Sequence, residues 1–275
     1  MNNLYGLIGE KLSHSKSPEI HDLIMKKLSI IGNYHLFEVN EADLKMAIEG
    51  LQVLNFKGIN VTIPYKIKII DFLDGCSDEV KSIGSVNTIK FTNKNAFGYN
   101  TDYFGFISLL RRFDIDVHGK IAVILGTGGS SRAVMKSLVD LGTKEIIFAS
   151  RNRNLNEING SRVIDYQELA KIKGDLLINC TPVGMSPNFD SSPVEKECVK
   201  NFETIIDLIY NPFKTKLIKY ADDLNIRAFN GFYMLVAQAV KSQEIWNNTK
   251  LSDDNIEKIY QELVENMFIS RKKKE

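Results

Sequence analysis

A glycine-rich turn, Gly126-Thr-Gly-Gly129, separates two segments of contrasting character and is chemically the most informative stretch of the sequence. Residues 120–125 form an apolar run rich in β-branched side chains, which predicts a buried strand. Residues 133–141 predict a helix that ends at Gly142. Because glycines let the backbone approach phosphates and a helix N-terminus supplies N–H donors, the stretch predicts a binding site for a dinucleotide pyrophosphate. Ser131 breaks the pattern G-x-G-x-x-G, so a simple turn is the alternative interpretation.

The end of the next predicted strand indicates which dinucleotide would bind. Residues 145–150 form this strand, and the segment Ser150-Arg-Asn-Arg153 lies at its carboxyl end without an acidic side chain. An NAD site usually has an Asp or Glu here for the ribose 2′-hydroxyl, whereas a guanidinium binds a 2′-phosphate through charge-assisted hydrogen bonds. The sequence therefore predicts NADP as the cofactor, and two solvated surface arginines are the alternative.

Three hydroxyl groups, those of Ser13, Ser15 and Ser17, lie between a predicted strand, residues 4–9, and a predicted helix, residues 18–28. The helix opens with a serine–proline pair, which is typical of an N-cap followed by the first helical residue. Hydroxyls beside helix N–H groups can hold a carboxylate without a full positive charge, so the loop predicts an anion site. A loop in which Ser17 only caps the helix is the alternative.

Another set of polar side chains lies at the end of a predicted strand, residues 57–63, which Pro64 stops. Asn60 and Thr62 point to the same side of that strand, and Lys66 follows it. Open α/β sheets bind ligands at the carboxyl ends of their strands, and amide, hydroxyl and ammonium groups together can bind ligand hydroxyls. The alternative is a lysine in solvent beside polar edge residues.

Asp102 follows a predicted hairpin, residues 86–91 and 96–99, and precedes a predicted helix, residues 103–112. The ordinary role of an aspartate here is to cap the helix, and that role is compatible with a contribution to a site.

Strands and helices alternate along most of the chain, which indicates an α/β protein with parallel sheets. The remaining predicted strands are residues 34–39, 175–180, 204–208 and 226–229, and the remaining predicted helices are residues 41–51, 215–220, 232–246 and 253–268. We expect a Rossmann-type dinucleotide-binding domain over residues 103–230. Residues 1–102 form the other domain, and the helices of residues 231–275 pack back on it and complete it.

The bulk composition excludes several classes of protein. The 275 residues carry a net charge of +1 at a sequence pI of about 7.6, so no nucleic acid or anionic membrane is expected as a partner. The basic cluster of residues 271–274 is interpreted as a solvated tail. Cys76, Cys180 and Cys198 form no C-x-x-C pair, which argues against a disulfide framework or a metal site. No signal peptide is apparent, and no apolar run approaches the ~20 residues of a membrane span, so we expect a cytoplasmic protein.

Seven motifs in this order and spacing resemble those of shikimate dehydrogenase, and the resemblance covers the chain from end to end. The motifs are His14-Ser-Lys-Ser-Pro18, Asn60-Val-Thr-Ile-Pro-Tyr-Lys66, Gly84-Ser-Val-Asn-Thr88, Gly98-Tyr-Asn-Thr-Asp102, Gly126-Thr-Gly-Gly129, Asn179-Cys-Thr-Pro182, and Asn230-Gly231 through Gln238. The resemblance implies an enzyme that interconverts shikimate and 3-dehydroshikimate with NADP, a step towards chorismate and aromatic amino acids.

The resemblance also implies roles for individual residues of the substrate domain. Ser15 and Ser17 would hold the shikimate carboxylate, and Lys66 with Asp102 would form the catalytic pair. The positions that match contacts to the substrate hydroxyls, or further substrate contacts, are Thr62, Lys66, Asn87, Asp102, Tyr210 and Gln238.

Cofactor contacts are implied in the same way. The matching positions are Gly126, Thr127, Gly128, Gly129, Ser130, Ser150, Arg151, Asn152, Arg153 and Gly231, with weaker contacts expected at Asp78 and Leu208.

Three positions depart from the family pattern. Ser150 stands where an asparagine is common, and Leu155 stands where a basic residue is common, which Arg153 would replace. Tyr233 stands in place of the second glycine of an Asn-Gly-x-Gly turn and puts a bulky side chain near the expected nicotinamide pocket.

Two other functions stay open at this point. A quinate/shikimate dehydrogenase of broader specificity would use the same scaffold, although Ser17, where such relatives tend to carry threonine, favours shikimate. A non-catalytic protein that senses NADP would lack Lys66 or Asp102, and both are present. The sequence leaves open whether the chain forms a homodimer.

Overall fold

The computed structural model describes residues 2–13, 15–92, 95–152 and 154–272. The chain divides into two compact units, the first formed by Met1–Gly105 with Val236–Glu275 and the second by Phe106–Leu235. No helix in the described part of the chain is both long and apolar enough to cross a membrane.

The strands and helices of the described residues follow in chain order. The strands are β1 (Asn3–Gly9), β2 (Gly32–Glu38), β3 (Gly58–Val61), β4 (Gly75–Cys76), β5 (Thr88–Thr92), β6 (Asn95–Tyr99), β7 (Ile121–Leu125), β8 (Glu145–Ala149), β9 (Glu157–Ile158), β10 (Ser161–Ile164), β11 (Gly174–Asn179), β12 (Phe202–Asp207) and β13 (Arg227–Asn230). The helices are α1 (Ser17–Lys27), α2 (Leu44–Val53), α3 (Asp78–Ile83), α4 (Thr101–Arg112), α5 (Gly129–Asp140), α6 (Tyr166–Leu169), α7 (Lys196–Val199), α8 (Lys216–Asp223), α9 (Phe232–Asn247) and α10 (Asp253–Lys272). Two short 3-10 segments, Glu41–Asp43 and Lys68–Phe72, precede α2 and follow β3.

The first unit is built on a mixed sheet in the strand order β2-β1-β3-β5-β6-β4. β1 runs parallel to both β2 and β3, whereas β5 is antiparallel to β3 and to β6. The hairpin predicted from the sequence is therefore confirmed as β5–β6. Because this hairpin reverses the chain within one sheet, the sheet of the first unit is mixed, with the expected parallel pairing among β1, β2 and β3.

The core of the first unit lies against this sheet and is extended by the C-terminal helices. Ile8, Ile59 and Ile89 on adjacent strands are fully buried. Trp246 of α9 stacks on Tyr5 of β1 with ring centroids 5.1 Å apart. The Tyr5 hydroxyl also donates to Asn247 Oδ1 at 2.8 Å. The prediction that the C-terminal helices pack back on the first part of the chain is confirmed.

The second unit has the Rossmann strand order. Its parallel strands follow one another as β10-β8-β7-β11-β12-β13, which places the first strand of the unit, β7, at the centre. Val123, Leu125, Ile147 and Leu177 fill the core on one face of this sheet. The antiparallel pair β9–β10 and the short helices α3, α6 and α7 were not predicted, because segments of two to six residues carry too little periodicity.

Most predicted boundaries hold to within a few residues, and one difference affects a site. α1 begins at Ser17 rather than Pro18, with Lys16 in the cap position, and the Lys16 side chain makes no capping bond. The prediction that Ser17 is the N-cap is wrong. Instead the Ser17 N–H donates to Ser15 Oγ at 3.2 Å, so Ser15 supplies the local hydrogen bond.

Gly58 in β3 gives a test of how closely α9 packs on the sheet. A Cβ atom at this position would lie 2.0 Å from Trp246 Nε1, and that nitrogen donates to the Ile89 carbonyl at 2.9 Å. We expect Gly58→Ala to lower the free energy of unfolding of the first unit by about 1–3 kcal/mol, through overpacking. Urea unfolding followed by the fluorescence of Trp246, the single tryptophan of the chain, measures this.

The matched control is Gly50→Ala in α2, where a Cβ atom would meet nothing within 4 Å. That change should leave the free energy of unfolding at the wild-type value or raise it by about 0.5–1 kcal/mol, because alanine favours a helix more than glycine does. Equal effects of the two substitutions would contradict the packing argument.

Candidate functional site

Lys66 and Asp102 form an ion pair in the first unit. Lys66 Nζ lies 2.5 Å from Asp102 Oδ2, and the two side chains retain only 12% and 7% of their solvent exposure. Lys66 follows β3 in a turn, and its carbonyl accepts a hydrogen bond from the Val86 N–H at 2.7 Å. A charged pair so far removed from water must be held by further hydrogen bonds.

Asn87 supplies one of these bonds. Its Nδ2 donates to Asp102 Oδ1 at 3.0 Å, so each oxygen of the carboxylate has a donor. Asn87 Nδ2 also lies 3.3 Å from Gln238 Oε1. Four residues that the sequence predicted as site residues, Lys66, Asn87, Asp102 and Gln238, are thus connected through hydrogen bonds in the first unit.

Asp102 is not the N-cap of α4, which is the ordinary role of an aspartate just before a predicted helix. It is the second residue of that helix, and its carboxylate is taken by Lys66 and Asn87. Asn100 accepts the helix N–H instead, from Tyr103 at 3.3 Å. Because a neighbouring side chain takes the capping bond, the carboxylate of Asp102 is left for the ion pair.

Thr62 and the serine loop leave the sheet at the same edge. β1 and β3 are adjacent and parallel, so the loop that carries Ser15 and Ser17 and the turn that follows Thr62 start side by side. The Glu10 N–H lies 3.5 Å from the Ile63 carbonyl. The hydroxyl-bearing side chains of Ser15, Ser17 and Thr62 are all partly exposed. This edge can therefore present several hydroxyls to a ligand.

Asn60 has a different role from the one its spacing suggested. It is 5% exposed, and its amide is engaged with Tyr34, Thr88 and Ser242 rather than facing solvent. It therefore belongs to the interior of the first unit.

The glycine turn of the second unit has the geometry of a phosphate loop. Gly126 adopts φ +95°, which only glycine tolerates well, and its N–H donates to the Ala149 carbonyl at 3.0 Å. Thr127 follows it, Gly128 is the cap residue of α5, and Gly129 and Ser130 begin that helix. Gly128 has no side chain with which to cap α5, and a Cβ atom at this position would meet nothing within 4 Å. The loop thus has room for a phosphate beside a helix N-terminus.

The segment after β8 lies at the same end of the sheet. Ser150 is buried and its Oγ accepts the Asn152 N–H at 3.1 Å, which forms a tight turn. Arg151 and Asn152 are exposed. Burial raises the pKa of the Tyr166 phenol, and the charge of Arg151 opposes this shift. Arg153 and His14 lie outside the described residues.

Gly231 and Leu208 meet through their backbones. A Cβ atom at Gly231 would lie 2.1 Å from the Leu208 carbonyl oxygen, so only glycine fits at this crossing. Tyr210 follows two residues after Leu208 and is partly buried in the second unit. The side chain of Tyr233 is buried against Phe113, with ring centroids 6.0 Å apart, and beneath the Arg112 guanidinium.

Asp78 opens α3 in the first unit and is 96% exposed. A hydrogen bond from Lys81 Nζ at 2.8 Å lowers the pKa of its carboxyl. Among the described residues, no group of three or more His, Cys, Asp or Glu side chains could hold a metal ion.

Sequence reasoning missed the polar residues behind the site. Thr88, Thr101 and Ser242 are fully buried and hydrogen-bonded to Asn60, Asn87 or each other. Thr88 and Thr101 lie within two of the motifs shared with the family, and no other feature of the sequence indicated that they belong near the site. Ser242 lies in α9 with no motif around it.

Asp207, at the end of β12, is a second buried carboxylate. Burial raises its pKa to about 6, against hydrogen bonds from Thr215 Oγ1 at 2.6 Å, the Ile209 N–H at 3.1 Å and Asn179 Nδ2 at 2.9 Å. Asn179 belongs to the Asn179-Cys-Thr-Pro182 motif, and these bonds join β11, β12 and α8 beside the glycine turn.

The fold and these residues define a two-unit α/β protein with a Rossmann-type dinucleotide-binding unit and a second unit that carries a buried lysine–aspartate pair. Comparison with known proteins agrees with this class. The model of the shikimate dehydrogenase substrate binding domain matches residues 7–89. The shikimate dehydrogenase (NADP(+)) of Clostridium beijerinckii is 44% identical over 267 residues, which is 96% of this chain and 98% of the relative.

Solved structures of shikimate dehydrogenases are also similar to this chain. Shikimate dehydrogenase 1 from Peptoclostridium difficile superposes with a TM-score of 0.91 at 44% identity, covering 96% of this chain and 98% of the other. Shikimate 5-dehydrogenase from Thermus thermophilus, solved in complex with NADP(H) and shikimate, gives a TM-score of 0.84 at 27% identity, covering 94% of this chain and 99% of the other. The chain therefore belongs to the shikimate dehydrogenase family.

The raised pKa of Asp207 has a consequence for stability. The pKa of this carboxyl is 3.8 in an unfolded chain and about 6 in the folded protein. The folded state holds the proton of Asp207 more tightly than the unfolded state does. The stability that this proton contributes is therefore complete below the unfolded pKa of 3.8 and is lost as the pH rises through about 6. The quantity to follow is the difference in unfolding free energy, wild type minus Asp207→Asn. We expect this difference to fall by about 1–3 kcal/mol between about pH 4 and about pH 7.

Denaturant titrations at several pH values measure this difference. His21, whose pKa burial lowers to about 3, acts in the opposite direction but is common to both proteins and cancels. The control is Asp223→Asn: Asp223 is exposed, Lys196 lowers its pKa, and the corresponding difference should not fall with pH. A flat difference for Asp207→Asn would contradict the buried, proton-binding carboxyl.

Proposed function

We propose that this chain is an NADP-dependent oxidoreductase that interconverts shikimate and 3-dehydroshikimate, a step of chorismate and aromatic amino acid biosynthesis. The single observation that carries the proposal is the buried Lys66–Asp102 pair, with Asn87 bound to it, in a chain 44% identical to a shikimate dehydrogenase (NADP(+)) over almost its full length.

Oxidation of a secondary alcohol needs a hydride acceptor and a group that takes the hydroxyl proton. NADP, when bound, supplies the hydride acceptor, and its reduced form supplies the hydride in the reverse direction. Lys66 is the group that exchanges the proton with the substrate oxygen. In ketone reduction its ammonium donates a hydrogen bond to the carbonyl oxygen and then the proton. Asp102 orients the ammonium through the 2.5 Å contact and stabilises its positive charge.

The substrate would be held by hydroxyl and amide groups of the first unit. Ser15 and Ser17 bind the carboxylate beside the start of α1, and Thr62, Asn87 and Gln238 bind ring hydroxyls. Support comes from the shared sheet edge of the serine loop and Thr62 and from the hydrogen bonds that join Asn87 to Asp102 and Gln238. Tyr210 is a further proposed substrate contact.

The second unit would hold NADP. Support for the pyrophosphate site comes from the glycine turn at the start of α5 and the open space at Gly128. Arg151, exposed after β8, would bind the 2′-phosphate, with Ser150 and Asn152 shaping the turn that presents it. The other proposed cofactor residues are Gly126, Thr127, Gly129, Ser130, Arg153, Leu208, Gly231 and Asp78.

The direct test is an assay of the purified protein with NADP and shikimate, beside NAD and quinate. Turnover of shikimate with NADP, exceeding the rates with the other cofactor and the other substrate, supports the proposal. Absence of turnover, or a preference for quinate, would overturn it. The domain roles, a cytoplasmic location, a homodimer and the lack of nucleic-acid and membrane partners stay predictions of the sequence.

Substitution of Lys66 tests its role in proton exchange. We expect Lys66→Ala to lower kcat by at least ~100-fold, the usual scale for losing a general acid–base, while NADPH binding changes little. Stopped-flow turnover and fluorescence titration of NADPH measure the two effects. The matched control is Lys68→Ala: Lys68 is half exposed, pairs with Glu41, and should be replaceable without loss of kcat. Loss of NADPH binding equal to the loss of turnover would contradict the assignment.

Substitution of Arg151 tests the choice of cofactor. Arg151→Ala should weaken NADP binding by roughly 1.5–3 kcal/mol, about ten- to hundredfold, because a charge-assisted contact to the 2′-phosphate is lost. NAD, which lacks that phosphate, should bind as before. Arg162→Ala is the control, since Arg162 is an exposed arginine of the same unit that pairs with Glu145 and Glu168. Calorimetric titrations that show equal losses for both cofactors would contradict the 2′-phosphate role.

A further inference from the structure

Behind the Lys66–Asp102 pair lies a closed cluster of five buried polar residues: Asn60, Asn87, Thr88, Thr101 and Ser242. Asn60 and Asn87 are 5% and 3% exposed, and the other three are fully buried. Polar groups without water need partners within the protein, and here each member bonds to others of the cluster. Contacts with backbone groups fix the orientation of the two amides in the cluster.

The orientation of the Asn87 amide follows from a backbone contact. Asn87 Oδ1 lies 2.7 Å from the Thr101 N–H, which can only donate. The oxygen of the amide must therefore be on this side, and its NH2 group faces Asp102 Oδ1 at 3.0 Å. A reversed amide would put its oxygen against the carboxylate.

The orientation of Asn60 is fixed in the same manner. Its Nδ2 lies 3.2 Å from the Asn87 carbonyl, which can only accept, so the NH2 group is on this side. Thr88 Oγ1 and Ser242 Oγ both lie 2.9 Å from the same nitrogen, so its two protons are shared among three acceptors. Each of these hydroxyls thus has an amide donor beside it and keeps its own proton to donate.

The remaining protons each have an acceptor. The Ser242 hydroxyl donates to the Gln238 carbonyl at 3.0 Å, and the Thr101 hydroxyl to Gln238 Oε1 at 3.2 Å. The Thr88 hydroxyl lies 3.1 Å from Asn87 Oδ1, to which it can donate, and also 3.0 Å from Ser242 Oγ and 3.2 Å from Thr101 Oγ1. With its proton on Asn87 Oδ1, a chain of donors runs from Asn60 through Thr88 and Asn87 to the carboxylate of Asp102.

We propose that Thr88 is a positioning residue for the reaction: beside the Thr101 N–H, its hydroxyl is a further donor that holds the Asn87 amide in the one orientation that donates to Asp102. The inference rests on the proposed function, because it assigns Asn87 and Asp102 to the reacting site. Thr88 acts through Asn87, and its effect is therefore on the rate of turnover rather than on cofactor binding.

The test compares Thr88→Val, which keeps the shape but removes the hydroxyl, with Thr88→Ser, which keeps the hydroxyl. We expect Thr88→Val to lower kcat by about tenfold, since small misplacements of a reacting group are costly, and Thr88→Ser to stay within about twofold of the wild type. NADPH affinity should be equal in all three proteins. Ser137→Ala is the control for loss of a buried hydroxyl, since Ser137 lies in the second unit and its hydroxyl donates to the Ala133 carbonyl within α5.

A second measurement does not depend on turnover. Solvent exchange of the Asn87 side-chain amide protons, followed by NMR with assigned 15N resonances, should be at least about tenfold faster in Thr88→Val than in the wild type and in Thr88→Ser. If the wild type does not oxidise shikimate, the proposed function fails, and the exchange rates alone decide this inference.

Loss of kcat and of amide protection in Thr88→Val, with both restored in Thr88→Ser, supports the proposal. Wild-type kcat and exchange in Thr88→Val overturn it, even where the melting temperature falls, because the threonine is then needed only for stability. Equal losses in Thr88→Val and Thr88→Ser also overturn it, because the methyl group and not the hydroxyl would then matter.

Discussion

The ion pair between Lys66 and Asp102 determines which polar residues the first unit must bury around it. Two opposite charges with little solvent exposure are costly unless every polar atom around them is bonded. Asn87 satisfies the second carboxylate oxygen, and Asn87 itself is held by Thr101 and Thr88. The buried polar cluster is therefore a requirement of the charged pair, and it recruits residues from β3, β5, α4 and α9.

The second unit depends on a different constraint, the close approach of backbones. Gly126 turns the chain after β7 with a positive φ, and Gly231 passes so near Leu208 that no side chain fits. Both features leave backbone rather than side chains at the carboxyl end of the parallel strands, which is where open α/β sheets bind ligands. The buried carboxylate of Asp207 fixes the neighbouring strand ends through three hydrogen bonds.

Local patterns in the sequence predicted most strands and helices, the Rossmann order and the glycine turn, because hydrophobic periodicity and glycine spacing are local properties. They failed where a neighbouring residue takes over a role: Asn100 caps α4 in place of Asp102, and Lys16 occupies the cap of α1 in place of Ser17. They also failed at Asn60, whose partner Ser242 is 182 residues away. A contact at that separation has no local signal, so the buried cluster could not be derived from residue spacing.

The packing of Trp246 against Tyr5 and over Gly58 bears on how the chain folds during synthesis. The first unit is discontinuous, and the part of α9 that packs on its sheet follows the second unit in sequence. The hydrogen bond from Tyr5 to Asn247 spans 242 residues. On a ribosome the second unit, which is continuous, emerges before most of α9 does, whereas part of the apolar face of the N-terminal sheet stays uncovered until then. Folding of the N-terminal sheet is consequently tied to the synthesis of α9.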